Sequence, residues 1–450
     1  MCLACLNHSE KLQYKFEGEK YLNSMTSQLV DLINKKPISD ADLAATSHFV
    51  LDTIACVIGG QNSIPGKILK DWFDVADRGT GSDAFLASGL AHILEIDDLH
   101  RDSVLHPGCV VIPLAWHLSA QLGKSGRDFL EAVLYGYEAA TRIGMAVGPA
   151  HYKVWHNTST CGPFGAAMAA SKLLNLSHQQ TVWALGNAGT QSCGLWQFLP
   201  DEAMSKHLHT ARAAEAGYTA ATLASRGFTG AESILEGKQG FFRALCPDAT
   251  PEVVLANPDM PWQLNQTSIK PWPCCRHTHP TIDAALELHS SIDSQMDYHI
   301  EIETFQAALD VCNRPSPKTA YTAKFSLQHC VNVALTNGAV DFGSFDESNR
   351  NQLSKNASKT SVIATSEFNN AYPERWGATV RVTSSKGDVI TAVRKDCKGD
   401  PQSCLTPKEI ETKAKMVMSN AEESHDPENL IKQILMLSEL DTMPAFPLSS

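Results

Sequence analysis

Four short stretches of the chain concentrate acidic, basic and imidazole groups. The densest is Glu95-Ile96-Asp97-Asp98-Leu99-His100-Arg101-Asp102, followed by His106-Pro107-Gly108. On a helix Asp98 and Asp102 would share a face and repel, while Asp97 and Arg101 would attract. Such crowding drives carboxylate and histidine pKa values apart, which acid/base catalysis requires. The same residues also describe a solvated charged turn that ends where a helix starts near His106. The second stretch is Trp155-His156-Asn157-Thr158-Ser159-Thr160-Cys161-Gly162. Free amides and the dipole of a helix start here could seat a carboxylate beside His156, or Asn157, Thr158 or Ser159 is simply a cap.

In the third stretch, Met204 to Arg212, a helix puts Lys206 and His209 on one face, with Arg212 extending it and His207 pointing elsewhere. That stripe suits an anionic substrate, or else pairs with surface carboxylates. The fourth, Lys270-Pro271-Trp272-Pro273-Cys274-Cys275-Arg276-His277-Thr278-His279, uses two prolines and a tryptophan to stiffen the backbone around Lys270. Adjacent Cys274 and Cys275 lack the two-residue gap of zinc knuckles, and Cys2-x-x-Cys5 has no second pair at metal spacing. No metal site is assigned. Phosphate-loop, dinucleotide and nucleophile-elbow motifs are absent from the sequence, so an enzyme without cofactor is the simplest expectation.

The elements that must position these groups divide into two kinds. Residues 23 to 245 predict helices: Leu43–Ile58 after a Ser39/Asp42 capping box, Phe129–Ile143 after Ser125/Asp128, then Gly165–Leu176, Gln179–Ala188, Lys206–Ser225 and Glu232–Leu245. Alanines 166, 167, 169 and 170 allow close helix packing. After Asn257-Pro258 the pattern changes. Trp262–Trp272 reads as extended, Tyr298–Thr304 alternates as a half-buried strand, and Thr379–Val382 with Val389–Val393 flank a Ser384–Asp388 turn. Two helices are expected there, Thr281–His289 and Thr322–Leu335, and Ser354–Ser366 reads as a polar loop. Helices return at Pro407–Ser419 and Pro427–Leu437, so the second domain, beginning near residue 265, is expected to be an insertion.

At 450 residues, with 43% hydrophobic and 19% charged, the chain has the composition of a globular protein with a large core. Its net charge of −12 speaks against binding to a nucleic-acid backbone. No apolar run approaches the roughly 18 residues of a membrane helix, and Met1–Lys35 shows neither a secretory nor a transit pattern. Thirteen scattered cysteines suggest reduced thiols, so a cytoplasmic location is expected, with no nucleic-acid or membrane partner.

The four clusters, in this order and at these separations, resemble the MmgE/PrpD family. The resemblance is carried by Leu51-Asp52-Thr53-Ile54-Ala55-Cys56, Ala91-His92-Ile93-Leu94-Glu95-Ile96-Asp97-Asp98, His106-Pro107-Gly108, Gly136-Tyr137-Glu138, Arg142-Ile143-Gly144 and His156 before Gly165-Ala166-Ala167. It continues through Lys206-His207-Leu208-His209, Arg212-Ala213-Ala214, Gly227-Phe228-Thr229-Gly230, Ile234-Leu235-Glu236-Gly237, Gly240-Phe241, Lys270 and Phe325-Ser326. It implies a mainly α protein: a large all-helical domain formed by both chain ends, 1–264 completed by 402–450, with an inserted smaller α+β lid domain at 265–401. A homodimer and an active site between the domains are also implied.

The resemblance implies a small di- or tricarboxylate substrate, handled without metal or organic cofactor by dehydration, decarboxylation or epimerisation. His106 and His156 match the family's active-site histidines, and Lys206 and Lys270 its lysines. Breaking a bond beside a carboxylate develops enolate-like charge, which calls for a positioned base and for neutralising cations. The expected assignment makes His106 or His156 the general acid or base. Lys206 and Lys270 clamp carboxylates, Asp97 or Asp98 orients a histidine or the substrate, and His209, Arg212 and His277 are further contacts. Leu99 stands where many relatives place threonine, and with Glu95–Gly108 this favours epimerisation of an iminodisuccinate-like dicarboxylate. Dehydration of 2-methylcitrate, decarboxylation of cis-aconitate and non-catalytic carboxylate binding are the alternatives.

Overall fold

A computed structural model describes residues 23–75, 79–292, 298–357, 359–421 and 426–448. Cys2, Cys5 and the first 22 residues of the Met1–Lys35 stretch lie outside the described residues. Both predicted capping boxes form: Ser39 Oγ accepts from the Asp42 amide at 3.2 Å and Asp42 accepts from the Ser39 amide at 2.9 Å. Ser125 and Asp128 repeat the pattern at 3.1 and 3.3 Å. They open the helices Asp40–Gly60 and Gly126–Ala146. Asp40–Gly60 has the length and hydropathy of a membrane span, but it packs against Thr80–His92 and Pro407–Met418 inside the protein.

At the centre of the helical unit lies Asn157–Leu173, buried along nearly its whole length. It packs between Gly126–Ala146 and Ser205–Ser225, and the latter runs along Thr80–His92. These approaches are close because the facing residues are small: a Cβ on Gly217 would come 2.3 Å from the Cβ of Ala166. The predicted start at Gly165 is corrected to Asn157. Pro163 lies inside the helix and costs it an amide hydrogen bond, a loss that burial on all sides outweighs. Glu232–Leu245 is helical only from Phe241 to Leu245, since Gly237 and Gly240 interrupt it with turns.

The second unit holds a four-stranded sheet in the order β4-β3-β5-β6. Its strands are β3 (Tyr298–Thr304), β4 (Thr360–Ala364), β5 (Ala378–Ser384) and β6 (Val389–Arg394). β3 runs antiparallel to β5 with Ile300 opposite Val382 and Ile302 opposite Val380, and parallel to β4. The alternation read from Tyr298–Thr304 therefore marks a strand whose isoleucines face the core. The expected Ser354–Ser366 loop is corrected, because it contains β4 and the end of the Glu347–Ala357 helix; only pairing with distant β3 makes that polar segment a strand. Thr322–Leu335 splits into Ala320–Ala323 and Leu327–Asn337, where Ser326 Oγ caps the second helix by accepting from the His329 amide at 3.0 Å.

Two apolar cores follow. One draws on residues from Leu29 to Ile269 together with Leu405 to Phe446, and the other on Trp272 to Ala392 with Leu99. A small ribbon, β1 (Leu99–His100) with β2 (Thr267–Ser268), joins them: Leu99 faces Ser268 and His100 faces Thr267.

Candidate active site

The Thr80–His92 helix ends at His92, and the chain then turns through Glu95, whose φ is +60°. A non-glycine residue in this region costs about 1 to 2 kcal/mol, so the turn must be held from outside. Three lysines from distant segments do so. Lys324 Nζ donates to the Leu94 carbonyl at 3.0 Å, Lys270 Nζ to the Glu95 carbonyl at 2.7 Å, and Lys413 Nζ to the Ile96 carbonyl at 2.7 Å. Lys413 also pairs with buried Asp52, which is how the Pro407–Met418 helix supports the site from behind.

The β1–β2 ribbon then sets Lys270, two residues past Ser268, beside Asp97, with Nζ 3.6 Å from Oδ1 and both side chains fully buried. The helical reading of residues 95–102 is thereby corrected. Asp98 and Asp102 do not share a helix face, and Arg101 pairs with Asp400 at 3.1 Å and Asp396 at 3.5 Å rather than with Asp97.

Carboxylates in this cluster sit at opposite extremes. Glu95 accepts two hydrogen bonds from Lys206 Nζ, at 2.5 and 2.7 Å. Burial pushes its pKa up, but Lys206, His92 and Lys270 overcome this and hold it at about 2. Asp97 is likewise buried, yet His92, His106 and Lys270 carry it well below the usual carboxylate range. Asp98 goes the other way, to about 8, through burial and then repulsion from Asp97, against the Tyr137 hydroxyl that donates to its Oδ2 at 2.7 Å. At neutral pH Asp97 is therefore an anion and Asp98 is largely a neutral acid, one residue apart.

Around them lies a group of imidazoles. His92 Nδ1 is 2.6 Å from Asp97 Oδ2, and its ring centroid is 4.6 Å from that of His106, 5.8 Å from His156 and 6.5 Å from His207. His106 Nδ1 lies 2.6 Å from the Asp98 carbonyl. A carbonyl only accepts, so Nδ1 carries the proton and Nε2 is left as the basic nitrogen. His156, just before the Asn157–Leu173 helix, stands 3.3 Å from His209, nitrogen to nitrogen, with Trp196 and Phe198 beside it. Burial lowers His106 to about 4, His207 to about 3 and His209 to about 4. His156 falls as well, through burial and then the charge of Lys206. Neutral imidazoles next to ammonium groups can accept a proton, or hand one on once an anion arrives to raise their pKa.

Of the residues expected in the site, the structure brings together Asp97, Asp98, His106, His156, Lys206, Lys270 and His209. Two are placed otherwise. Arg212 projects to the surface, where it pairs with Glu215; the helix turns it away from the face that carries Lys206. His277 is buried in the sheet unit, stacked on Trp376 with centroids 4.4 Å apart beside Phe305 and Tyr372, with no polar partner on either ring nitrogen among the described residues.

A third correction concerns His207, which is buried toward His92 because its helix lies flat on Thr80–His92. Sequence reasoning also passed over Glu95, His92, Tyr137 and Lys324. The first three stand inside the motifs quoted above, whereas the alignment of Lys324 with Leu94 depends on contact between the units.

His92, Asp97 and His106 each offer one ligand atom within 4.8 Å of the others, the one group with metal spacing among the described residues. The separation of 2.6 Å between His92 Nδ1 and Asp97 Oδ2 is that of a hydrogen bond, with the proton between them. Cys274 instead approaches the Thr278 hydroxyl at 3.2 Å, and His279 Nε2 lies 3.3 Å from the Cys274 carbonyl.

The chain is 27% identical to human cis-aconitate decarboxylase over 80% of its own length and 76% of the relative's. It is 29% identical to a cis-aconitate decarboxylase-like protein of Aspergillus oryzae, over 59% of the chain and 61% of that relative, and 26% identical to the cis-aconitate decarboxylase of Aspergillus terreus, over 68% and 63%. The chain thus spans about three fifths of the length of the two fungal relatives. The MmgE/PrpD N-terminal domain matches residues 27–254 and the MmgE/PrpD C-terminal domain residues 272–438, and with both halves accounted for the chain belongs to the MmgE/PrpD family of enzymes.

Proposed function

We propose that the protein is a lyase that removes carbon dioxide from a small unsaturated polycarboxylate of the cis-aconitate kind. The observation that carries this reading is the set of buried neutral imidazoles, His106 and His156 foremost, next to the ammonium groups of Lys206 and Lys270. Relatives named cis-aconitate decarboxylase move the lead from epimerisation to bond cleavage.

In the proposed step the lysines neutralise substrate carboxylates. The bond to the departing carboxylate breaks, and its electron pair is left on carbon, spread toward the neighbouring carboxylate. A proton delivered to carbon completes the exchange. His106 is the preferred donor: its Nδ1 is committed to the Asp98 carbonyl, and its side chain is 11% exposed where His92 and Asp97 are fully enclosed. Asp97 stabilises the imidazolium formed when the polyanion binds, as a carboxylate does in other histidine dyads.

Proton NMR in deuterium oxide with cis-aconitate, 2-methylcitrate and iminodisuccinate tests this. Loss of carbon dioxide with deuterium incorporated at carbon is the expected result. Exchange at an α-carbon without net product would restore the epimerase reading, and loss of water would identify a dehydratase.

A further inference from the structure

Burying an ammonium group without a counter-charge is costly, so such a group is paired with an anion or holds its proton less tightly. Lys206 has Glu95 and Lys270 has Asp97. Lys324, half-buried in the sheet unit just after Ala320–Ala323, has no carboxylate within ion-pair distance among the described residues, and Glu95 acts on it only from further away. Its Nζ makes one hydrogen bond, to the Leu94 carbonyl at 3.0 Å, and an ammonium has three donors. The rings of Phe342 and Phe345 lie 5.8 and 6.0 Å from it. Burial, with some repulsion from Lys270 and Lys206 and an opposing pull from Glu95, lowers its pKa to about 8.

Its position matters as much as its isolation. Lys324 and Lys270 donate to consecutive carbonyls, Leu94 and Glu95, while Lys206 holds the Glu95 side chain. Phe325, the next residue, lies under Lys206 at 5.7 Å. Three ammonium groups therefore converge on two consecutive residues of the turn, Leu94 and Glu95, although only two of the three pair with carboxylates of the protein among the described residues. One turn of chain earlier, the Tyr321 hydroxyl is buried with no hydrogen-bond partner among the described residues.

We propose that Lys324 contacts a third substrate carboxylate, so that the site selects a tricarboxylate over a dicarboxylate. This rests on the reading of the site as one for polycarboxylates, and it assigns that site a substrate class.

Isothermal titration with two ligands that differ by a single carboxylate tests it: propane-1,2,3-tricarboxylate and propane-1,3-dicarboxylate. A charge-assisted hydrogen bond contributes roughly 1.5 to 3 kcal/mol, about ten- to a hundredfold in affinity. The wild-type protein is expected to prefer the tricarboxylate by that factor, and Lys324→Met to lose the preference by weakening the tricarboxylate while leaving the dicarboxylate within about twofold. Lys324→Gln keeps a donor for the Leu94 carbonyl, and the same selective loss is expected of it.

Equal weakening of both ligands in both variants would show that Lys324 only supports the turn, and would overturn the proposal. So would a wild-type protein that binds the two ligands equally or binds neither. Release of carbon dioxide is measured separately: its absence with the selective binding intact would sink the decarboxylation and leave the third contact standing.

Discussion

The Lys206–Glu95 pair should reveal itself in stability before any substrate is added. Among the described residues Lys206 is the only hydrogen-bond donor to the Glu95 carboxylate, and both side chains are nearly inaccessible to water, at 4% and 2%. A carboxylate held at about 2 instead of 4.5 corresponds to about 3 kcal/mol, and breaking a buried pair by removing one partner typically costs about 3 to 5 kcal/mol.

For 450 residues the unfolding entropy is about 0.9 kcal/mol per kelvin. Lys206→Met should therefore lower Tm by about 3 to 5 °C at pH 7. Because the folded value of Glu95 lies below its unfolded value, the pair's contribution is complete above about pH 4.5 and is lost as pH falls toward 2. In Lys206→Met the sign reverses. Burial then favours protonated Glu95, and stability is lost as pH rises past 4.5, so the gap to wild type widens from pH 4 to pH 7. Adding Glu95→Gln should restore most of the loss, since neither charge is then buried alone. Calorimetric melting of the four proteins at both pH values is the assay. A gap independent of pH, or a double variant no better than Lys206→Met, would refute the reasoning.

Three further perturbations follow from the same geometry. Asp98→Asn should gain on wild type as pH rises from 5 to 8, by about 1 to 2 °C per pH unit, because Asp98 ionises near 8 when folded and near 3.8 when unfolded; an unchanging difference in thermal melts would contradict it. Gly108→Ala would place a Cβ 2.6 Å from Thr53 Oγ1 and 2.7 Å from both Asp98 Oδ1 and the Tyr137 hydroxyl. Turnover is expected to fall at least about tenfold, with about 1 to 3 kcal/mol of destabilisation, and a variant with wild-type rate would count against Asp98 in the site. Arg212→Ala, on the surface beside Glu215, should leave turnover unchanged and Tm within about 1 °C.

Much of the helical unit is written locally. Ser39, Asp42, Ser125 and Asp128 announce their helices because the capping bonds join residues three apart. The failures share a physical cause, which is long-range contact overriding local preference. Pro163 and Gly162 look like helix breakers until the surrounding helices bury them, and Thr360–Ala364, inside a stretch that reads as a polar loop, becomes a strand only beside β3. In the site the residue types were legible but the partners were not. Arg101 looks like the natural mate of Asp97 at a spacing of four, yet the ribbon turns it to Asp396 and Asp400, three hundred residues along the chain. Arg212 looks like a continuation of the Lys206 stripe because Lys206, His209 and Arg212 recur every three residues, but six residues fall about 120° short of two full turns, so Lys206 reaches back to Glu95 while Arg212 faces solvent and pairs with Glu215.

What the two units accomplish together neither could alone. The helical unit supplies a carboxylate turn and most of the imidazoles, but that turn is strained at Glu95, and its Leu94 and Glu95 carbonyls find their donors outside the unit. The sheet unit supplies Lys270 and Lys324, whose ammonium groups satisfy the Glu95 and Leu94 carbonyls. Lys270, after His92 and His106, also helps to keep neighbouring Asp97 ionised, and Asp97 in turn opposes the burial that depresses His106. Local strain, proton affinity and affinity for an anionic ligand are thus set by the same contacts between units. A substitution that loosens the ribbon between Leu99–His100 and Thr267–Ser268 should therefore disturb all three at once, whereas one confined to either core should change stability alone.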